Sequence, residues 1–182
     1  MKVDLSRFDN SWFEPGRNVF VRMLWFFFNA IFLKNPLNPS SAIKVGILRL
    51  FGARIGDGVV LKPGINVKYP WKIEVGDHSW IGENTWLDSL ALIRIGNNVC
   101  LSQATYLCTG NHDWTDPDFG LIVKPIIIED GVWVGARATV LPGVTLASHS
   151  IVVSGSVITN DTEAYVIYAG NPAIRHKERI LN

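Results

Sequence analysis

Val75-Gly76-Asp77-His78-Ser79-Trp80-Ile81-Gly82-Glu83-Asn84-Thr85-Trp86-Leu87 places an aliphatic residue at every sixth position, with glycine after the first two and Ser79 and Thr85 four residues behind them. A period of six fits neither the 3.6-residue turn of a helix nor the alternation of a plain strand. It fits a triangular coil with a short strand and a turn on each side, three hexapeptides making a coil of about eighteen residues. The spacing continues in both directions: Ile55, Leu61 and Val67 come before it, and Ile95, Leu101, Leu107, Ile128, Val134, Val140, Leu146, Val152 and Ile158 come after. Every position in the series is aliphatic, so the expected structure stacks these side chains into an inward ladder in which each coil buries its face against the next. Small or β-branched residues recur where the prism is narrow, among them Val99, Thr105, Val132, Ala138, Val144, Ser150 and Ser156. The glycine after the aliphatic residue reads as a corner residue that supplies unusual backbone angles. The fold class expected is an all-β solenoid, a parallel β-helix of about five coils over residues 53–160.

Departures from the period locate the chemistry. The first three coils start at 55, 75 and 95, two residues longer than the ideal, so small excursions fall at 68–73 and 88–93. The next coil starts at 128, which extrudes a loop at 108–127. Loops that leave a solenoid sit on its surface and tend to carry function. This one reads Cys108-Thr109-Gly110-Asn111-His112-Asp113-Trp114 and runs on to Lys124-Pro125, with one of the chain's four histidines. A reaction in which a hydroxyl attacks a carbonyl needs a base near neutral pH, and imidazole supplies it. His112 is therefore the candidate catalytic residue; His78, His149 and His176 fall at turns or in the tail.

The ends differ from the repeat. Residues 1–52 form an N-terminal helical segment in this reading. Residues 19–33 are apolar apart from Arg22 and Asn29, lie between Pro15-Gly16 and Pro36, and contain Trp25-Phe26-Phe27-Phe28. That length predicts a helix but is short of the roughly 20 apolar residues that span a bilayer. Either it packs on the domain or a neighbouring subunit, closing the lower end of the prism, or it lies in a membrane interface with its rings at headgroup depth. A second helix is expected over 42–51 after Asn38-Pro39-Ser40-Ser41. Residues 161–182 are expected to form a short C-terminal helix or tail. Seventeen basic against sixteen acidic residues leave a formal charge of +1, so no global field points to nucleic acid. Two cysteines without CxxC spacing imply neither a disulfide framework nor a zinc site. No secretory leader is recognisable, and a cytoplasmic location, including the inner face of the membrane, is the expectation.

Thr109-Gly110-Asn111-His112, a loop, and then the run from Gly131 to Leu146 (GVWVGARATVLPGVTL) resemble the hexapeptide-repeat O-acetyltransferases that act on sugars, including galactoside and maltose acetyltransferases. Tyr69-Pro70-Trp71-Lys72, the run from Arg49 to Gly56 and Gly170-Asn171-Pro172-Ala173 are similar to the colanic-acid-type exopolysaccharide branch. The resemblance implies a left-handed coil, whereas parallel crossovers in general are right-handed. It also implies a homotrimer with the catalytic histidine between subunits, acetyl-CoA as co-substrate and no metal. Carried over by motif, Trp133, Ala136, Ser154, Gly155, Thr159 and Lys177 would contact CoA, and Asp88 and Asn111 the acceptor, a sugar or polysaccharide precursor. Asn160 and Ile174 stand where relatives carry Lys and Arg, which leaves the charge for the CoA phosphates to Arg175, Lys177 or Arg179. Two other functions fit the same solenoid. One is a γ-carbonic-anhydrase-like zinc enzyme, which needs a second nearby histidine that the loop lacks; the other is an inactive scaffold subunit.

Overall fold

The computed structural model describes residues 2–181. Three parallel sheets wrap one apolar axis as the faces of a triangular prism, a left-handed parallel β-helix. The first face stacks Arg54–Ile55, Ile73–Val75, Ile93–Ile95, Ile126–Ile128 and Thr145–Leu146. The second stacks Val60–Leu61, Trp80–Ile81, Cys100–Leu101, Trp133–Val134 and Ile151–Val152, and the third Asn66–Val67, Trp86–Asp88, Tyr106–Cys108, Thr139–Val140 and Val157–Ile158. These make five complete coils, and Val166–Gly170 adds one more parallel strand to the second face. All the six-spaced aliphatic residues belong to one buried core. The small residues between them are buried too, and their hydroxyls are satisfied: Ser79 Oγ donates to Gly96 O at 2.7 Å and Thr105 Oγ1 to Ser102 O at 2.8 Å.

The glycines that follow the aliphatic residues have a different cause from the one the sequence led us to expect. None of Gly56, Gly76, Gly82, Gly96 and Gly135 has positive φ. They are places where adjacent coils nearly touch: a Cβ on Gly135 would lie 2.5 Å from Ser154 N, and one on Gly82 2.6 Å from Ser102 C. The left-handed residue falls two positions later. Gly58, His78, Asn98, Gly131 and His149 form one corner column of positive φ, and Gly64, Asn84, Ala104, Arg137 and Gly155 another. Non-glycine residues therefore hold strained angles that the stacked coils enforce on both sides.

Both expected helices form. Helix α1 (Val19–Phe28) is capped by the Asn18 side chain and continues as a π-helical turn, Asn29–Leu33. Helix α2 (Ser41–Leu50) is capped by Ser40. Trp25, Asn29 and Leu33 point into the lower end of the prism, where Trp25 Nε1 donates to Val67 O at 2.9 Å and Asn29 Oδ1 accepts from Val67 N. Packing on the domain is thus real, but it uses one side of α1 only. Phe20, Met23, Phe27 and Ile31, spaced as one outward stripe, are each more than half exposed. No helix of the described residues is long and apolar enough to cross a membrane. At the other end, of the helix or tail expected, the chain forms a tail built as a β-hairpin: Ala173–Glu178 turns back antiparallel on Val166–Gly170.

Candidate active site

The extruded loop leaves the prism at the corner between the third and first faces, directly after Cys108, and is itself a hairpin: Gly110–His112 pairs antiparallel with Leu121–Val123. Its tip is braced by aspartates. Asp113 accepts from Thr115 N and Thr115 Oγ1 at 2.9 and 2.6 Å, which holds its carboxyl below the usual range, and Asp116 accepts from Asp118 N and Gly120 N. These turns force Phe119 to φ +58° and bring its carbonyl to 2.9 Å from His112 Nδ1. A carbonyl can only accept, so Nδ1 carries the proton and the neutral ring keeps its lone pair on Nε2. The ring is clamped: Phe119 stacks on it at 4.3 Å between centroids, and Phe8 meets its edge at 5.4 Å. A base fixed in tautomer and orientation is what proton abstraction from a hydroxyl requires.

His112 lines a cavity of about 530 Å³ whose other walls include Phe8, Asn10, Phe13, Lys68, Tyr69 and Leu90. The first residues of the chain thus roof the site, which the sequence reading did not foresee. They are tied down by Asp4 N to Pro117 O at 3.0 Å, by an Arg7–Asp118 ion pair at 2.9 Å and by Trp71 Nε1 donating to Pro15 O at 2.6 Å. Pro15-Gly16 was legible only as a helix breaker; nothing in the preceding residues marks a surface they would cover.

Asp88 lies at the same corner one coil below the loop, opposite Cys108 in register. It is buried, accepts from the Tyr106 hydroxyl at 3.2 Å and faces Lys68 Nζ at 3.7 Å. Burial first, then its neighbours Cys108 and Asp88, push the Tyr106 phenol up, so it stays a donor. Asn111 is exposed and turns its Oδ1 to the His112 backbone N–H at 2.9 Å.

The residues carried over for CoA do not gather around His112 within one chain. Trp133 stands outward on the second face, with its Nε1 on Ser102 Oγ at 3.0 Å. Ala136, Ser154 and Gly155 lie at the corner between the second and third faces, stacked through Gly155 N to Ala136 O at 2.8 Å. Thr159 shares the corner of the loop, two coils above it, and Lys177 sits on the terminal hairpin. The third face separates His112 from Ala136 and Ser154. Of the tail cations, Arg175 pairs with Glu163 and Glu178, and Arg179 donates to the carbonyls of Gly131 and His149. Among the described residues only Lys177 of these three makes no ion pair or side-chain hydrogen bond. No cluster of three or more His, Cys, Asp or Glu side chains forms among the described residues.

Residues 125–160 match the family model described as "Bacterial transferase hexapeptide (six repeats)". The chain is 36% identical over 178 residues, 97% of each protein, to the Escherichia coli K12 protein described as "Putative colanic acid biosynthesis acetyltransferase WcaF". It is 27% identical over 142 residues to the galactoside O-acetyltransferase of the same organism, covering 76% of this chain and 70% of that one. A hexapeptide-repeat acetyltransferase of Vibrio cholerae, solved in complex with acetyl coenzyme A, superposes with a TM-score of 0.78 at 25% identity, covering 87% of this chain and 86% of its own.

Proposed function

The chain belongs to the hexapeptide-repeat acetyltransferases, and from that premise we propose that it moves the acetyl group of acetyl-CoA to a hydroxyl of a sugar or exopolysaccharide precursor, with His112 as the general base. The observation that carries this is the Nδ1 contact to Phe119 O, which leaves Nε2 as the basic nitrogen of a clamped ring in a cavity wall. As the acceptor oxygen bonds to the thioester carbonyl, its proton passes to Nε2; the tetrahedral intermediate then expels CoA, whose thiolate takes the proton. The product is an ester, and the base returns to its starting state.

The separation of His112 from the CoA edge supports a homotrimer in which each site takes the histidine from one subunit and Trp133, Ala136, Ser154 and Gly155 from the next. The outward residues favour the same arrangement. The first face carries a charged ladder, with Glu74 bridging Arg54 and Arg94 at 2.9 and 2.8 Å and its carboxyl held below the usual range chiefly by Arg94. The second presents Val60, Trp80, Cys100, Trp133 and Ile151, and the third Trp86, Tyr106, Thr139 and Val157. Contact between two unlike faces is heterologous, and a three-fold rotation between subunits closes such contacts into a ring. The outward stripe of α1 supports, in addition, a peripheral contact with a membrane surface, since a helix apolar on every side is normally covered.

Purified protein is expected to sediment as a trimer and to release CoA thiol from acetyl-CoA only when a panel of sugars, sugar phosphates and lipid-linked sugars supplies a hydroxyl. A fully active monomer would contradict the shared site, and transfer confined to amines would contradict the assigned chemistry.

A further inference from the structure

The cavity lined by His112 shares a wall with a second one. The second, of about 430 Å³, is walled by Trp25, Phe26, Asn29, Asn66 and Trp86, with Lys34 on its lining. Arg22, Lys68 and Tyr69 line both cavities and so mark the seam between them. Arg22 is the one cation within the apolar run of α1, and its side chain makes no ion pair or hydrogen bond among the described residues. Its Nε is buried with no partner, an arrangement that costs stability unless a ligand satisfies it. Lys68 is held only loosely, 3.7 Å from Asp88, beyond hydrogen-bonding distance. Three cations, Arg22, Lys34 and Lys68, thus line these cavities, and of them only Lys68 approaches a carboxylate. Lys72 nearby is different: its ammonium donates to the carbonyls of Leu90 and Glu14 and lies over the Phe13 ring, so it is already engaged.

Resting on the reading of His112 as the base for the acceptor hydroxyl, we propose that the acceptor is a sugar carrying a phosphate or diphosphate ester, with the sugar in the His112 cavity and the ester on Arg22 and Lys68. The group esterified beyond the phosphate, a nucleoside or a polyprenyl chain, extends into the second cavity against Trp25, Phe26 and Trp86. A guanidinium fork matches phosphate oxygens in pairs, and a neutral sugar offers nothing of that charge. The seam is separate from the CoA site by position along the axis. Lys68 follows the first coil, the loop follows the third, and Ser154 and Thr159 belong to the fifth. The base stands between an acceptor end and a CoA end. The ester itself does not react.

The test is binding of inorganic diphosphate to the protein saturated with CoA, so that the CoA phosphate sites are filled. Wild type is expected to bind one diphosphate per subunit, and Arg22→Gln or Lys68→Gln to bind it roughly tenfold or more weakly, while Arg22→Lys recovers part of the affinity. Melting temperatures of the variants separate lost binding from lost folding. No binding by CoA-saturated wild type, or equal binding by a well-folded Arg22→Gln, would overturn the proposal. Displacement by UDP and by farnesyl diphosphate then distinguishes the sources: whichever displaces more tightly than diphosphate itself names the appended group, and failure of both removes the second cavity from the acceptor site. Acetyl transfer to neutral sugars without diphosphate binding would sink this inference alone. Diphosphate binding without any acetyl transfer would sink the acetyltransferase reading alone.

Discussion

Replacing His112 with alanine is expected to lower acetyl transfer by about 100-fold to 10,000-fold, the range typical of losing a general base, while acetyl-CoA binding stays largely unchanged. The split follows from geometry. The imidazole is held by the hairpin through Phe119 O and the Phe119 ring, whereas Trp133, Ala136, Ser154 and Gly155 lie across the third face. Removing the ring therefore takes the base away and leaves in place Trp133, Ala136, Ser154 and Gly155, the residues assigned to CoA. The hairpin survives as well, because its turns are made by Asp113 and Asp116 rather than by the histidine. A variant within a few-fold of wild type would remove His112 from the mechanism.

The second large effect separates the two sides of α1. Trp25→Ser takes a buried indole out of the lower end of the prism and leaves Val67 O without its donor. Truncating a buried tryptophan costs about 3–5 kcal/mol, which for a chain of this size lowers Tm by roughly 6–20 °C. Phe27→Ser acts on a ring 54% exposed and is expected to shift stability by no more than about 0.5 kcal/mol. In co-sedimentation with anionic vesicles the order reverses: Phe27→Ser together with Phe20→Ser is expected to abolish an association that the wild type shows. If the wild type does not sediment with vesicles, the outward stripe is covered by protein instead.

The core was legible because its signal is redundant. Aliphatic residues at six-residue spacing within every coil from Ile55 to Ile158 leave little room for another fold, and the longest break in that count, between Leu107 and Ile128, pointed straight at the loop and His112. The glycines misled in detail. Gly82 and Gly135 looked like corner residues, yet their necessity arises from the next coil, a contact across about twenty positions that local reading does not contain. The roof over the site was invisible for a similar reason, since Phe8 and Phe13 meet His112 and Lys72 only through pairings more than fifty residues apart. Arg22 was seen, but only as an interruption in an apolar run; its place at a seam depends on Lys68 and Tyr69 arriving from the first excursion. The terminal hairpin was missed because the exposed residues of Ala173–Glu178 show no alternation that would mark a strand.

A catalytic site assembled from two subunits predicts complementation between inactive variants. That is tested most directly by mixing two inactive proteins, His112→Ala, which lacks the base, and Ala136→Trp, which blocks the CoA edge, then unfolding and refolding them together at equal amounts. If His112 of one subunit serves the CoA edge of the next, every mixed trimer regains one intact site in three, and the mixture recovers about a quarter of wild-type transfer under random assembly around a closed ring. If each chain holds a complete site of its own, every site in the mixture carries one lesion or the other, and transfer stays at the level of the separate variants.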